Sequence, residues 1–194
     1  MNSHARVVVI GGGVVGVSTL YHLAKKGWSD VVLLERKELT SGSTWHAAGL
    51  LPLFNMSYSV GQIHKYSVRF YKELQEETGQ DVGFKTVSNI RLATNRDRMD
   101  EYYQYAGVAE TIGVKVNFLT PDEVKEVWPL CNIEGIVGAI QHPDDGYIQP
   151  ADLTQALAKG ARSRGATIHR NTAVIAIERT SGGEWLVKTD KGDI

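Results

Sequence analysis

Three glycines near the start of the chain, Gly11, Gly13 and Gly16, fall in the spacing G-x-G-x-x-G. Each answers a separate need of a turn that meets a pyrophosphate. Gly11 permits a tight turn, Gly13 lets a phosphate reach the backbone, and Gly16 lets a helix pack close to a strand. Val14 and Val15 sit between the last two glycines, where a helix N-terminus offers unpaired N–H groups and about half a positive charge. Glu35 follows Gly16 by 19 residues. A carboxylate there accepts hydrogen bonds from ribose hydroxyls and repels a 2′-phosphate, which disfavours NADP. A glycine turn that binds nothing is the bland alternative, and a lone glycine triplet would not exclude it.

The surrounding elements favour a binding turn. Val7-Val8-Val9-Ile10 is a continuous apolar run of the kind buried on both faces of a parallel sheet. Val17, Leu20, Tyr21 and Ala24 share one helical face, and Gly27 stops that helix. Val31-Val32-Leu33-Leu34 forms a second buried run that delivers Glu35 at its end. Strand, turn, helix, strand and acid therefore occur in the order a βαβ nucleotide-binding unit requires.

The loop after Glu35 bears on which dinucleotide is bound. After Arg36 it continues to Gly42-Ser43-Thr44-Trp45-His46-Ala47-Ala48-Gly49-Leu50. Hydroxyls at Ser43 and Thr44 followed by small residues suit a second helix N-terminus facing the same pyrophosphate, beside room for a flat ligand. An NAD domain has no need of that platform. Residues 7–50 resemble the FAD-binding start of the D-amino acid oxidase superfamily. Within them, residues 43–50 are similar to the dimethylglycine and sarcosine dehydrogenase family. The resemblance implies an α/β, Rossmann-like FAD-binding domain joined to part of an inserted α+β substrate domain. It also implies that His46 carries FAD covalently, through a ring nitrogen bonded to the flavin 8α-methyl carbon. Neutral imidazole is a competent nucleophile for such a bond. The alternative is a His46 that lines the flavin edge without bonding, and Trp45 serves equally as a flavin neighbour or as core.

Farther along, Tyr58–Thr78 and Arg96–Ile112 read as helices, and Thr120-Pro121-Asp122-Glu123 opens a short one. Strands are predicted over 84–87, 90–93, 116–119 and 136–141. Pro150 starts a helix with Leu153, Ala156, Leu157 and Ala161 on one face, and strands follow at 167–169, 173–178 and 185–189. Residues 1–50 and 146–194 are thus assigned to the FAD domain and 51–145 to a helical linker and partial substrate domain. Similar proteins hold adenine through the backbone of a strand-opening valine, here Val174, although a plain core valine fits equally. Arg91 invites a carboxylate clamp, and strand pairing is its other reading. Asp144 and Asp145, between Pro143 and Gly146, read as a turn. The histidines lack partners at metal-ligand spacing, and Cys131 reads as a small buried residue.

An apolar share of 42% with 22% charged residues excludes disorder and a collagenous or disulfide scaffold. No apolar run approaches the roughly 20 residues of a membrane span. The formal net charge of -1 gives no case for nucleic acid or an anionic membrane as partner. A single cysteine fits a reducing compartment, cytoplasmic, or the mitochondrial matrix if a transit segment is lacking. The resemblance implies oxidation of the N-methyl C–N bond of a small amino acid such as dimethylglycine or sarcosine, with hydride passing to flavin N5. An electron-transfer flavoprotein or oxygen would take the electrons. Tetrahydrofolate would enter only through a fused downstream domain. The family's substrate-site residues fall beyond Ile194, so no catalytic residue is assigned, and residues 189–194 read as a turn into a further strand. The alternatives are another amino acid oxidase of this scaffold and a non-catalytic FAD-binding fragment.

Overall fold

The computed structural model describes residues 3–194. Two compact units divide them: Met1–Gly49, Glu73–Gly83 and Gln149–Ile194 in one, Leu50–Lys72 and Phe84–Ile148 in the other. Among the described residues, no helix is long and apolar enough to cross a membrane.

In the first unit, β1 (Val7–Ile10), β2 (Val31–Leu34) and β9 (Thr167–His169) form a parallel sheet in the order β1-β2-β9. All four residues of β2 are buried, as a continuous aliphatic run in a central strand requires. β1 departs from expectation. Val7 to Val9 are half-buried and Ile10 is exposed, because among the described residues β1 has a neighbour on one side of its sheet only. Helix α1 (Val14–Lys25) begins three residues ahead of Val17 and buries the expected face of Val17, Leu20, Tyr21 and Ala24. Helix α5 (Pro150–Arg162) packs on α1, and Gly160 makes the crossing close. A Cβ at Gly160 would meet the Tyr21 ring at 2.7 Å. The hairpin of β10 (Val174–Arg179) and β11 (Trp185–Thr189) completes the unit, with Val187 packed against Val32 and Leu34.

The units differ from the expected domain bounds in two segments: residues 146–148 fall in the second unit, and 73–83 in the first. Helix α2 (Tyr58–Thr78) ends in the first unit, where Glu73–Gly83 belongs, although the sequence assigns all of 51–145 to the second. The physical reason is Glu77. Its carboxylate accepts from the Tyr21 hydroxyl at 2.8 Å and pairs with Arg164 at 2.8 Å and Lys25 at 3.6 Å. Burial pushes this carboxyl up, but the Tyr21 bond and the two cations outweigh it, and the net shift is downward. A carboxylate held below its ordinary value stabilises the fold above that value, and the contribution disappears as pH falls through the lowered one. Glu77→Gln should therefore reduce stability by about 1–2 kcal/mol at pH 7, discounted for partial exposure. The gap from wild type should narrow once pH falls below the ordinary carboxylate value and close only below the lowered one, read by denaturant melts across pH. A gap that stays constant with pH would remove the electrostatic account.

In the second unit, β5 (Asn89–Ala93), β7 (Gly138–His142) and β6 (Asn117–Leu119) pair antiparallel in that order. A smaller sheet, β3 (Leu50–Leu51), β8 (Gly146–Tyr147) and β4 (Lys85–Thr86), consists of two-residue strands whose pairings no periodicity reveals. Helix α3 (Arg96–Ile112) runs from an Asn95 cap to Gly113 in the left-handed region, and α4 (Pro121–Val127) starts in a complete Thr120/Glu123 capping box. The α3 face of Met99, Tyr102, Tyr105, Ala109 and Ile112 packs with Ile140, Ala93 and Leu53. Cys131 is buried beside Val124 and Ala139. Arg91 stands in β5 opposite Ile140, its guanidinium 4.2 Å from the Phe54 ring centroid.

A nucleotide-sized turn and its surroundings

The glycine turn is tied down from both sides. Gly11 sits at φ 108°, a region that favours glycine, and its N–H donates to Leu34 O at 2.9 Å. Thus the turn closes directly onto the end of β2. A Cβ at Gly11 would touch nothing within 4 Å, so its requirement is conformational. Gly16 is the reverse case. A Cβ there would lie far inside contact distance of the Gly11 carbonyl oxygen, with Val9 Cγ1 behind it at 3.6 Å. The packing ascribed to Gly16 is therefore first against the turn's own backbone and only then against the strand. Gly12 lies at an unspecified position of the motif, yet it is also constrained. A Cβ there would meet Leu39 Cδ2 at 2.7 Å and Glu35 Cγ at 2.8 Å.

Glu35 reaches back to this turn. Its Oε2 accepts from Gly12 N–H at 2.6 Å and its Oε1 from Lys37 N–H at 2.8 Å. The carboxylate is thereby held at the mouth of the turn by two backbone donors, and a carboxylate has lone pairs beyond these two for further donors. Thr172 N–H donates to Glu35 O at 2.8 Å and Asn171 N–H to Lys37 O at 3.1 Å, which brings the segment entering β10 beside the acid. Val174 opens β10, half-buried against Val32, Leu34 and Val187. Arg36 is exposed.

The loop over 42–50 corrects one expectation. Ser43–His46 forms a single 3-10 turn and no second helix start, since Ala47 already turns extended. Instead, buried Thr44 serves the first helix: its hydroxyl accepts from Val14 N–H at 3.0 Å. Gly13, the residue before α1, has no side chain to do so. A Cβ at Gly13 would meet that same Thr44 oxygen at 3.1 Å. Thr44 meets one of the helix-start donors, while the first-turn amides of Val15 and Gly16 have no intrahelical acceptor. Gly42, Ser43, Ala47 and Ala48 are exposed, and Gly49 turns at φ 75° ahead of exposed Leu50. Trp45 is 72% exposed, so it is a surface residue here and not core.

His46 is exposed as well, with Nδ1 at 3.2 Å from the Gly42 carbonyl oxygen. A carbonyl only accepts, so Nδ1 is the protonated nitrogen of the neutral ring and Nε2 carries the lone pair. Together, the open turn, two helix amides, a fixed acid and an exposed histidine fit a dinucleotide that needs phosphate, ribose and ring contacts.

A family model described as "FAD dependent oxidoreductase" (DAO) matches residues 6–194. The chain belongs to this family. It is 44% identical over 190 residues to the mitochondrial dimethylglycine dehydrogenase of Homo sapiens, covering 98% of this chain and 22% of that protein. It is 40% identical to a formaldehyde-forming 4-methylaminobutanoate oxidase of Paenarthrobacter nicotinovorans, covering 98% and 23%. The crystal structure of L-proline dehydrogenase from P. horikoshii superposes with a TM-score of 0.92 at 30% identity, over 100% of this chain and 51% of that one. The chain thus spans less than a quarter of the length of these two sequence relatives. The mixed α/β fold is that of the DAO-type flavoproteins.

Proposed function

We propose that this chain is the FAD-holding part of an amine oxidoreductase acting on a small N-methylated amino acid, with FAD bonded to Nε2 of His46. The observation that carries the reading is the His46–Gly42 contact, which directs the ring lone pair to the free, exposed nitrogen. Around it, the chain's residues divide the binding work. Val15 and Gly16 amides meet the pyrophosphate, Glu35 meets ribose, the Val174 backbone meets adenine, and Gly13 keeps the phosphate approach open. FAD supplies the hydride acceptor, N5 of its ring. Nothing in residues 3–194 is assigned as catalytic acid or base. Two relatives are named for dimethylglycine and 4-methylaminobutanoate. Both compounds bear N-methyl groups and differ in chain length, which supports the substrate class over any single member.

The decisive experiment is acid precipitation of the purified protein followed by intact-mass measurement. The expected result is a yellow pellet and a mass increment equal to FAD, both lost in His46→Ala, whose flavin should move entirely to the supernatant. A His46→Ala protein that keeps acid-stable flavin would show the attachment to lie elsewhere.

A further inference from the structure

Among the described residues, five of the six buried side-chain atoms without a hydrogen-bond partner gather in one place in the second unit: Ser88 Oγ, Asn89 Oδ1, Arg91 Nε, His142 Nδ1 and Asp145 Oδ2. Asn89 faces His142 across β5 and β7, and Ser88 N–H donates to Asp145 O at 2.9 Å. Unsatisfied buried polar atoms are costly, and they are retained where the partners they keep in place matter.

Those partners converge on one peptide. Leu53 N–H donates to Asp145 Oδ1 at 2.9 Å, and the Tyr105 hydroxyl donates to Leu53 O at 3.3 Å. Tyr105, having given its proton to that carbonyl, accepts from His142 Nε2 at 3.2 Å. The directions follow in sequence: His142 N–H to Tyr105 oxygen, Tyr105 O–H to Leu53 carbonyl, Leu53 N–H to Asp145. His142 is fully buried and Asp145 is 2% exposed. Burial and the Arg91 cation depress His142 to about 4, and the order places a proton on its Nε2. Burial raises the Tyr105 hydroxyl to about 12, which keeps its proton available to donate. Phe54 seals the group, its ring centroid 4.2 Å from that of Tyr105 and 5.8 Å from that of His142. Leu53 follows His46 by seven residues, and β3 between them pairs with β8, which begins directly after Asp145.

We propose that Asp145 and Tyr105 are positioning residues for flavin attachment: by gripping both polar groups of the Leu53 backbone, they fix the path of the chain leaving His46. This rests on the covalent reading of His46, in which an Nε2–C bond would replace one 8α C–H bond, the carbon and the imidazole ring would each lose a proton, and the electron pair would reduce the flavin until an outside acceptor such as oxygen took it. Total flavin bound and the fraction bound covalently are therefore two separate readouts.

The experiment measures both in the full chain, with Asp145→Ala, Asp145→Asn and Tyr105→Phe. Asparagine keeps an oxygen where Oδ1 accepts, whereas alanine removes it; phenylalanine keeps the ring and loses the donated bond. Expected are a covalent fraction reduced at least five-fold in Asp145→Ala and Tyr105→Phe, total FAD near wild type, and recovery in Asp145→Asn. Hydrogen exchange across residues 50–54 should accelerate about ten-fold in Asp145→Ala, equivalent to one lost buried bond. An unchanged covalent fraction in both Asp145→Ala and Tyr105→Phe overturns the inference, as does exchange that does not accelerate. Equal failure of Asp145→Asn and Asp145→Ala also overturns it. If Asp145→Ala does not fold, Tyr105→Phe decides. Wild-type protein with no acid-stable flavin defeats the His46 reading and this inference together, whereas covalent wild type with unaffected variants defeats the inference alone.

Discussion

Gly16→Ala is expected to abolish FAD retention and to lower the melting temperature, more than any other single-methyl change in the turn. The added carbon would overlap the Gly11 carbonyl oxygen, and both sides of the clash are backbone. Neither side can yield cheaply. Gly11 is tied through its N–H to Leu34 O, and Gly16 sits in the first turn of α1. Forced overpacking of this kind costs about 1–3 kcal/mol or more. Relief requires α1 to slide away from the turn, which moves the amides of Val15 and Gly16. Stability and flavin content should therefore fall together. The other two glycines provide the controls. Gly11→Ala meets no neighbour within 4 Å but places a Cβ at φ 108°, so it should cost stability through backbone strain of about 1–2 kcal/mol. Gly13→Ala meets only the Thr44 hydroxyl oxygen, at 3.1 Å. It should leave the melting temperature nearly unchanged and reduce bound FAD, because its methyl obstructs the phosphate and not the fold. Bound flavin by absorbance and melting by calorimetry test the three together. Wild-type flavin content in Gly16→Ala would show that the turn does not position the cofactor.

What the sequence reveals of this protein tracks how local the determining interaction is. The helix Arg96–Ile112 is legible to the residue because Asn95 and Gly113 mark its ends chemically. The same holds for Thr120 to Val127, where proline and a capping box announce a start. The nucleotide turn is legible because three glycines, an acid and a helix fall within one βαβ unit. Three features are hidden because their cause lies far along the chain. β3 and β8 are two residues each, too short for any period, and form by distant pairing, β8 with β3 across almost a hundred residues and with β4 on its other side. Glu77 lies one residue from Glu76 near the end of a helix, with nothing nearby in sequence to pair it, yet Tyr21 and Arg164 draw it into the first unit. Asp145 reads correctly as lying beside a turn, but its burial against Leu53 depends on a contact that no neighbouring residue encodes. Thr44 is an intermediate case. Its small hydroxyl was legible as a cap, and only the structure shows that the helix it caps is α1 and not one of its own.

Glu35→Ala is expected to weaken noncovalent FAD binding by about 100-fold or more, equivalent to about 2.7 kcal/mol. The measurement belongs in a His46→Ala background, where attachment cannot mask affinity. The magnitude follows from what the carboxylate holds. It accepts from Gly12 N–H at 2.6 Å and Lys37 N–H at 2.8 Å, and hydrogen bonds to a charged group contribute about 1.5–3 kcal/mol each. Removing it frees the turn on one side and the chain toward Lys37 on the other, besides deleting the acceptor meant for ribose. Glu35→Gln separates these effects. Its amide oxygen can replace one of the two acceptors, but its NH2 must then face the other backbone N–H, donor against donor. The glutamine protein should therefore bind FAD more weakly than wild type although its shape is conserved, and more tightly than alanine. Shape alone would predict glutamine equal to wild type. Ribose contact alone would predict that deleting the acid leaves the ligand-free fold untouched, whereas the two backbone bonds predict a lower melting temperature without flavin. Titration of ligand-free protein with FAD, followed by flavin fluorescence, gives the affinities, and calorimetry of the same samples gives the melting points. Wild-type affinity in Glu35→Ala would remove Glu35 from the binding site.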